Sequence, residues 1–495
     1  MSRTPKNLVV ITSDEMRGDA PGFMGNPDCR TPNLDRLAAS GVAFHNHFTV
    51  HGKSVPARVA MLTGRYSHTD GIRTVNETNL IQPGDPDLLS TLKARGYETA
   101  VFGHNHAWTD FWGDNTKGSG IVDYHSYTAE HFRPLLERKW PVPAPGPGAV
   151  RPLDLSRGGF HYGGRVEKPL DGFCDDNRIE QAVHYLTTVR DRSRPFYLHV
   201  NIGKPHPPYQ IEEPYFSMYD RAAIRAWPHG LPEGAPLPLR RMRQLRTAEG
   251  ASEAAFREIQ AVYYGMVTKV DMLVGRLLEA VEAEGLFGDS VVMFAVDHGD
   301  FAGQYGLVEK WDTCMTDCIL RVPQILRAPN LPAGVRVDGL TEHTDLAPTI
   351  LELLDVPPAP RWGIHGESLL PVIRGERRKT AVFADGGHEE DMQRRFNFRH
   401  DGKGEARRLD GKQATYQATR ETMARTKMIR TERWKMVIRL AGGNELYDLA
   451  NDPWELNNRW GEPGLAPVIQ DLQLQMIEWC LRTDTDRPHQ ERVGA

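Results

Sequence analysis

The sequence predicts an α/β fold: a large, mostly parallel sheet flanked by helices, followed by a small C-terminal antiparallel sheet with a helix. Three observations carry this reading. Four compact apolar runs are rich in β-branched and aromatic residues, the mark of strands buried on both faces. Amphipathic helical patterns lie between them. Short strand-like runs follow one another near the end of the chain and close on one helix.

The first run is Leu8-Val9-Val10-Ile11, which ends at Ser13-Asp14-Glu15. A helix is predicted over 33–40, with Leu34, Leu37 and Ala38 on one face. The second run, Thr99-Ala100-Val101-Phe102, leads into Gly103-His104-Asn105-His106. Residues 179–189 read as an amphipathic helix, and the third run, 196–202, leads into Lys204-Pro205-His206. The longest helix spans 254–284, with Ile259, Val262, Met266, Val270, Leu273, Leu277, Leu278 and Val281 at helical spacing. The fourth run, 291–296, ends at Asp297-His298-Gly299-Asp300, and a helix over 345–354 is stopped by Pro357 and Pro358. All four strands deliver polar, ionisable residues past their C-terminal ends, the edge where open α/β sheets bind ligands.

Segments 139–164 and 227–246 are rich in Pro and Gly and read as irregular surface insertions. Residues 374–418 are polar and charged. Short strands follow at 427–431, 434–439 and 445–449, then a closing helix at 468–481. The division this predicts is a catalytic domain over 1–375 and a smaller α+β domain over 376–495. The sequence contains no internal repeat and no coiled-coil heptad.

The 495 residues include 60 Lys and Arg against 65 Asp and Glu, a formal net charge of −5. That balance gives no electrostatic case for nucleic acid or an anionic membrane as the main partner. The five cysteines, Cys29, Cys174, Cys314, Cys318 and Cys480, are loosely spaced and read as reduced structural thiols. Cys314 and Cys318 are four apart, which suits one helix face. The N-terminus reads as a first strand and not as a signal peptide. No apolar stretch approaches the ~20 residues of a membrane span. The compartment expected on these grounds is the cytoplasm.

The stretch HGKSVPARVAMLTGR, at 51–65, raises the functional question. Ser-x-Pro by itself opens a helix, because serine caps and proline fits the first turn. Here Arg58 stands one turn after Ser54, and a helix start adds exposed N–H groups and a positive dipole end. Together these make an anion pocket with a nucleophile in it. Asp14, Asp297 and His298 offer carboxylate oxygens with one imidazole, a set suited to Ca²⁺, Mn²⁺ or Mg²⁺. A metal held there lowers the pKa of a bound hydroxyl. His104, His106, Lys204, His206 and Lys310 lie at strand ends or in the loop after Asp297. They supply positive charge and protons around a multiply charged anion.

At these residues the chain resembles the sulfatase family of the alkaline phosphatase superfamily, over nearly its whole length. Ser54-Val55-Pro56-Ala57-Arg58 with Leu62-Thr63-Gly64-Arg65 is similar to the family signature, (Cys or Ser)-x-Pro-x-Arg followed by TGR. Thr31 to Ala38, Asp297-His298-Gly299-Asp300 with Gly306-Leu307 and Lys310, and Glu445 to Pro453 match further family segments in the same order. The resemblance implies an alkaline-phosphatase-like sandwich and hydrolysis of a sulfate ester to alcohol and sulfate. It implies that Ser54 is oxidised to formylglycine by a radical SAM sulfatase-maturating enzyme, and that one hydroxyl of the hydrate attacks sulfur. Asp14, Ser54, Asp297 and His298 are then the ligands of one divalent metal, calcium first, with manganese or magnesium as alternatives. Arg58 stabilises the nucleophile. His106, His206 and Lys310 bind sulfate oxygens and protonate the leaving group. His104, Lys204 and Asn76 contact substrate, and a homo-oligomer is implied.

Many family members carry paired aspartates after the first strand and an Asn after the later Asp. Asp14-Glu15 and Asp297-His298 are closer to the choline sulfatase and phosphonate monoester hydrolase branch, and Gly103-His104-Asn105-His106 stands where many members have Gly-Lys-x-His. The alternative reading is therefore a phosphodiesterase or phosphonate monoester hydrolase on the same scaffold, with Ser54 left unmodified as the nucleophile. A non-catalytic anion-binding relative is the reading from another class. Glu389, Glu390 and Asp391 read as a solvated acidic loop beside the leaving-group pocket.

Overall fold

The computed structural model describes residues 4–73, 81, 84–103, 105–108, 122–125, 162–167, 175–246, 251–360, 362–388 and 420–484. In chain order the strands are β1 (Asn7–Asp14), β2 (Val42–Phe48), β3 (Glu98–Gly103), β4 (Tyr124–His125), β5 (Tyr162–Arg165), β6 (Phe196–Pro205) and β7 (Tyr209–Ile211). They continue as β8 (Ser290–Val296), β9 (Arg321–Arg327), β10 (Val335–Glu342), β11 (Ala381–Gly386), β12 (Thr426–Thr431), β13 (Trp434–Arg439) and β14 (Glu445–Asp448). Eight of them form one sheet in the order β10-β2-β9-β8-β1-β6-β3-β4. β9 is antiparallel to both neighbours and every other pairing in this sheet is parallel. The C-terminal ends of β1, β2, β3, β6 and β8 therefore meet at one edge.

The central strand shows why this sheet is buried on both sides. Leu8 and Val10 of β1 face a core shared with Val55 and Val59 of helix Ser54–Thr63 and Ile350 of helix Leu346–Leu353. Val9 and Ile11 face the opposite core, packed with Ile259, Val262, Val270 and Leu277 of the 31-residue helix Glu253–Ala283. Alternation at period two sends successive residues to opposite layers. Each fully buried aliphatic side chain contributes about 1.5–3 kcal/mol. The helices expected over 33–40, 254–284 and 345–354 are present as Pro32–Ala39, Glu253–Ala283 and Leu346–Leu353. The 179–189 segment begins earlier, as helix Asp175–His184, and ends in a π-turn over Tyr185–Val189.

A second, antiparallel sheet has the order β11-β12-β13-β14. Ile429, Met436 and Leu446 on one face hold Leu472, Met476 and Trp479 of the closing helix Ala466–Thr483. Val382, Ala384, Met428 and Val437 on the other face pack against Phe48, Ile319, Leu320 and Leu340 of the large sheet's surroundings. β11 also touches the functional edge. The Asp385 amide donates to the Val50 carbonyl at 3.0 Å. A Cβ on Gly386 would lie 2.0 Å from the Asp312 carbonyl, so only glycine permits this approach.

Three expectations are corrected. Segment 227–246 is not an irregular surface insertion. It ends in helix Leu237–Arg246, and Trp227, Ala235, Leu239 and Met242 are buried. Leu239 and Met242 are three apart and suffice to seat one helical turn, a signal masked by the surrounding arginines and prolines. Cys314 and Cys318 do not share a helix: Cys314 lies in an irregular segment and only Cys318 falls in the short helix Asp317–Leu320. β11 stands inside the stretch read as merely polar and charged. Cys29, Cys314, Cys318 and Cys480 form no disulfide, and Cys174 lies outside the described residues. Most of 139–164 also lies outside them, except Tyr162 to Gly164 in β5. Among the described residues no helix is long and apolar enough to cross a membrane.

Candidate active site

The edge where the parallel strands end collects the polar residues. β1 delivers Asp14, and β8 runs directly into Asp297 and His298; all three are at most 1% exposed. β2 leads through residues 49–53 into helix Ser54–Thr63. The residue at its N-cap is Lys53, and no side chain caps the helix. The Ser54 hydroxyl is therefore not a cap. It lies 2.9 Å from His298 Nε2. The other ring nitrogen, Nδ1, is 3.1 Å from the Gly299 carbonyl, which only accepts, so Nδ1 carries the proton and the Nε2 lone pair faces Ser54.

Arg58, one turn into the helix, is buried and uses each corner of its guanidinium. Nε donates to Asp297 Oδ2 at 2.9 Å, Nη2 to Asp14 Oδ2 at 3.0 Å, and Nη1 to Asn201 Oδ1 at 2.9 Å. One ligand atom each from Asp14, Asp297 and His298 lies within 4.8 Å of the others. The remaining Asp297 oxygen accepts from the amides of Glu15 and His298 at 3.0 and 2.9 Å. Burial works to raise the Asp297 carboxyl, but the Arg58 guanidinium and the Glu15 amide that bond to it outweigh burial and hold it well below the usual carboxylate range. Burial pushes His298 down to about 3 against the pull of Asp297, which leaves it neutral. Two carboxylates, a neutral imidazole and a hydroxyl form a hard, oxygen-rich donor set that fits a divalent cation.

A cationic side adjoins this cluster. Glu15 has a φ of 72°, so the chain turns sharply after Asp14 and sends the Glu15 carboxylate sideways. There it pairs with Lys310 Nζ and lies 3.4 Å from His206 Nε2. Burial works against the Lys310 charge, yet Glu15, Glu309 and Asp14 outweigh it and keep the ammonium protonated. Lys53, next to Ser54, pairs with Asp312 at 3.1 Å, two residues beyond Lys310. The loop after β3 abuts Arg58, whose Nη1 is 3.4 Å from the Asn105 carbonyl, and carries His106.

A family model described as sulfatase matches residues 6–356. The chain belongs to the sulfatase family. It is 29% identical to the multifunctional alkaline phosphatase superfamily protein PehA of Trinickia caryophylli, over 97% of this chain and 96% of that one. It is 27% identical to an arylsulfatase of Clostridium perfringens, over 76% of this chain and 79% of that one. The phosphonate monoester hydrolase of Agrobacterium radiobacter shares its fold, with a TM-score of 0.72 at 22% identity, covering 97% of this chain and 96% of that one. The protein is thus a sulfuric ester hydrolase of the alkaline phosphatase superfamily, with an acidic cluster placed to hold a divalent metal.

In this sulfatase the structure brings Ser54, Arg58, Asp14, Asp297 and His298 into one cluster, with Lys310 and His206 joined to it through Glu15. Lys204 is buried at the end of β6, its Nζ 3.9 Å from Asp175, whose carboxylate also accepts from the Gly203 and Lys204 amides. His104, Asn76, Glu389, Glu390 and Asp391 lie outside the described residues. Sequence reasoning missed Glu15, Asn201 and the Lys53–Asp312 pair. The signal for Asn201 is present in β6, where Tyr197, His199 and Asn201 alternate with apolar residues in a strand otherwise read as buried.

Burial holds two further histidines near this site neutral: His199 is pushed down to about 3, with Arg58 adding to the effect, and His343 to about 4. A histidine whose folded pKa lies below its unfolded value contributes stability that is full above about pH 6.5 and is lost on acidification toward the folded value. Neither imidazole is expected to titrate between pH 8 and pH 5. Histidine NMR titration checks this, and a midpoint near 6.5 at either ring contradicts it.

Proposed function

We propose that Ser54, after conversion to formylglycine, is the nucleophile of a metal-dependent sulfate ester hydrolysis. The observation that carries this reading is the 2.9 Å contact between Ser54 Oγ and His298 Nε2, inside the ring of carboxylates that Arg58 holds. Asp14, Asp297, His298 and residue 54 hold the metal, calcium first, with manganese or magnesium as alternatives. Bound there, it polarises a sulfate oxygen and lowers the pKa of the attacking hydroxyl. A hydrated formylglycine at residue 54 would supply two hydroxyls on one carbon, one of them where Ser54 Oγ faces His298 Nε2. Arg58 fixes Asp14 and Asp297 beside the nucleophile. Lys310, His206 and His106 bind the sulfate oxygens and hand a proton to the leaving alcohol. His104, Lys204 and Asn76 complete the substrate contacts.

The same reading makes a radical SAM maturase the partner in biosynthesis, and places the protein in the cytoplasm as a homo-oligomer. It assigns this chemistry to a catalytic domain over 1–375, with 376–495 as the smaller one. A phosphodiesterase or phosphonate monoester hydrolase activity on the same site is the second reading. The relationship to the multifunctional protein of Trinickia caryophylli favours it, because sulfate monoesters and phosphate diesters both carry one negative charge.

Digestion of protein from its native host, followed by mass measurement of the peptide carrying Ser54, tests the first reading. Conversion removes two hydrogens, and the peptide is expected lighter by that amount. An unmodified serine sinks the formylglycine mechanism and favours a serine alkoxide. Turnover of an aryl sulfate against an aryl phosphodiester then separates the two activities.

A further inference from the structure

The interior of the sheet contains a line of polar residues that the proposed chemistry does not use. On the face turned toward helix Ser54–Thr63, β1 presents Leu8, Val10 and then Thr12, while β6 presents Tyr197, His199 and Asn201. Val10 pairs with His199 and Thr12 with Asn201 across the two strands. All four polar residues are at most 1% exposed. Polar groups this deep destabilise a core unless they satisfy one another.

They do so in one direction only. Arg58 Nη1 donates to Asn201 Oδ1 at 2.9 Å, which fixes the amide with its oxygen toward the guanidinium. That oxygen has no proton to give, so Thr12 Oγ1, at 2.6 Å, donates to it as well. The Thr12 oxygen then offers lone pairs alone, so His199 Nε2, at 3.3 Å, carries the ring proton. His199 Nδ1 accepts from the Tyr197 hydroxyl at 3.0 Å. The donors of Tyr197, His199 and Thr12 all point along the line toward Arg58, while Asn201 Nδ2 donates sideways to the Phe102 carbonyl at 3.4 Å.

We infer that Tyr197, His199, Thr12 and Asn201 are positioning residues whose hydrogen-bonded line fixes the Arg58 guanidinium and, through it, the spacing of the Asp14 and Asp297 carboxylates. The inference rests on the reading that those carboxylates hold the divalent cation. Two corners of the guanidinium grip the carboxylates, and the third holds Asn201 Oδ1 at 2.9 Å and, at 3.4 Å, the Asn105 carbonyl. Loss of a fixed Asn201 oxygen would leave that corner with only the longer Asn105 contact and let the guanidinium shift against Asp14 and Asp297. Groups bonded directly to metal ligands, as Arg58 is to Asp14 and Asp297, change metal affinity by about 10–100-fold when removed, and the line acts through that group.

Thr12→Val removes the hydroxyl and keeps the shape, and Thr12→Ser restores it. Thr12→Val is expected to weaken binding of Ca²⁺ or Mn²⁺, measured by calorimetric titration, by about tenfold. It is expected to lower kcat for an aryl sulfate to a similar degree with KM within about twofold, and Thr12→Ser is expected to recover both. A Thr12→Val protein that melts earlier but binds the cation and turns over as the parent does shows a merely structural hydrogen bond and overturns the inference. So does a ¹⁵N spectrum that places the His199 proton on Nδ1 in the unmutated protein, a measurement independent of whether any variant folds. If the unmutated chain hydrolyses no sulfate ester, the functional reading fails, while cation affinity and the His199 tautomer still decide the role of this line.

Discussion

Ser54→Ala is expected to lower kcat/KM for an aryl sulfate by more than about 10³-fold and to leave the fold in place. The structure makes this a clean test. The helix that begins at Ser54 takes no side-chain cap, so the hydroxyl contributes nothing to its start. The helix is instead held by Val55, Val59 and Leu62 in the core and closed by Gly64 at a φ of 65°, where the left-handed conformation suits glycine. Ser54 is 4% exposed, and alanine fits the same space. Removing the hydroxyl costs His298 one hydrogen bond, about 1 kcal/mol. Thermal unfolding of the variant should therefore remain close to the parent while turnover collapses. Ser54→Cys keeps a side chain of the kind the family signature allows and is expected to regain part of the activity. Undiminished turnover by Ser54→Ala would remove residue 54 from the chemistry and shift attention to Lys310 and His206.

The residues that the sequence picks out and the structure gathers at one edge share a physical reason. β1, β3, β6 and β8 are buried on both faces, so their apolar runs are unbroken in β1, β3 and β8 and interrupted only by His199 and Asn201 in β6, and each run announces the polar residue that follows it. A parallel sheet then gathers those endings at one edge, which is why Asp14, Asp297, His298 and His206 were legible together. β2, β9, β10 and β11 were not. β2 reads VAFHNHF because His47 is buried through a hydrogen bond to Thr341 at 2.9 Å and a ring contact with His343, partners nearly 300 residues away. β9 contains Pro323, which speaks against a central strand. Its ladder with β8 begins only at Gln324, and opposite β2 the proline falls at a register shift, so no ladder bond is lost there. Glu15 failed to stand out for another reason. Beside Asp14 it looks like a turn residue, and only a backbone turn to positive φ brings it to Lys310, 295 residues later.

That last pair yields the second large expected effect. Lys310→Met is expected to destabilise the protein by about 3–5 kcal/mol, because it leaves the Glu15 carboxylate buried without its cation. Glu15 is fully buried and Lys310 is 3% exposed, so water cannot replace the lost partner. Burial already pushes the Glu15 carboxyl upward, with Lys310 as the opposing influence, so in the variant Glu15 takes up a proton. Glu15→Gln in the same chain removes the need to take up that proton on folding and is expected to restore most of the stability. The double variant should then lie well short of the sum of the single ones, a coupling measurable by urea unfolding. Activity separates the two roles of the lysine. If Lys310 touches the sulfate, as proposed, aryl sulfate turnover falls by about 10²–10³-fold in Lys310→Met and stays low in the double variant. Recovery of turnover together with stability would instead mean that Lys310 serves only to neutralise Glu15. The sulfate would then be held by His206 and His106, and the proposed anion site would have to be redrawn around them.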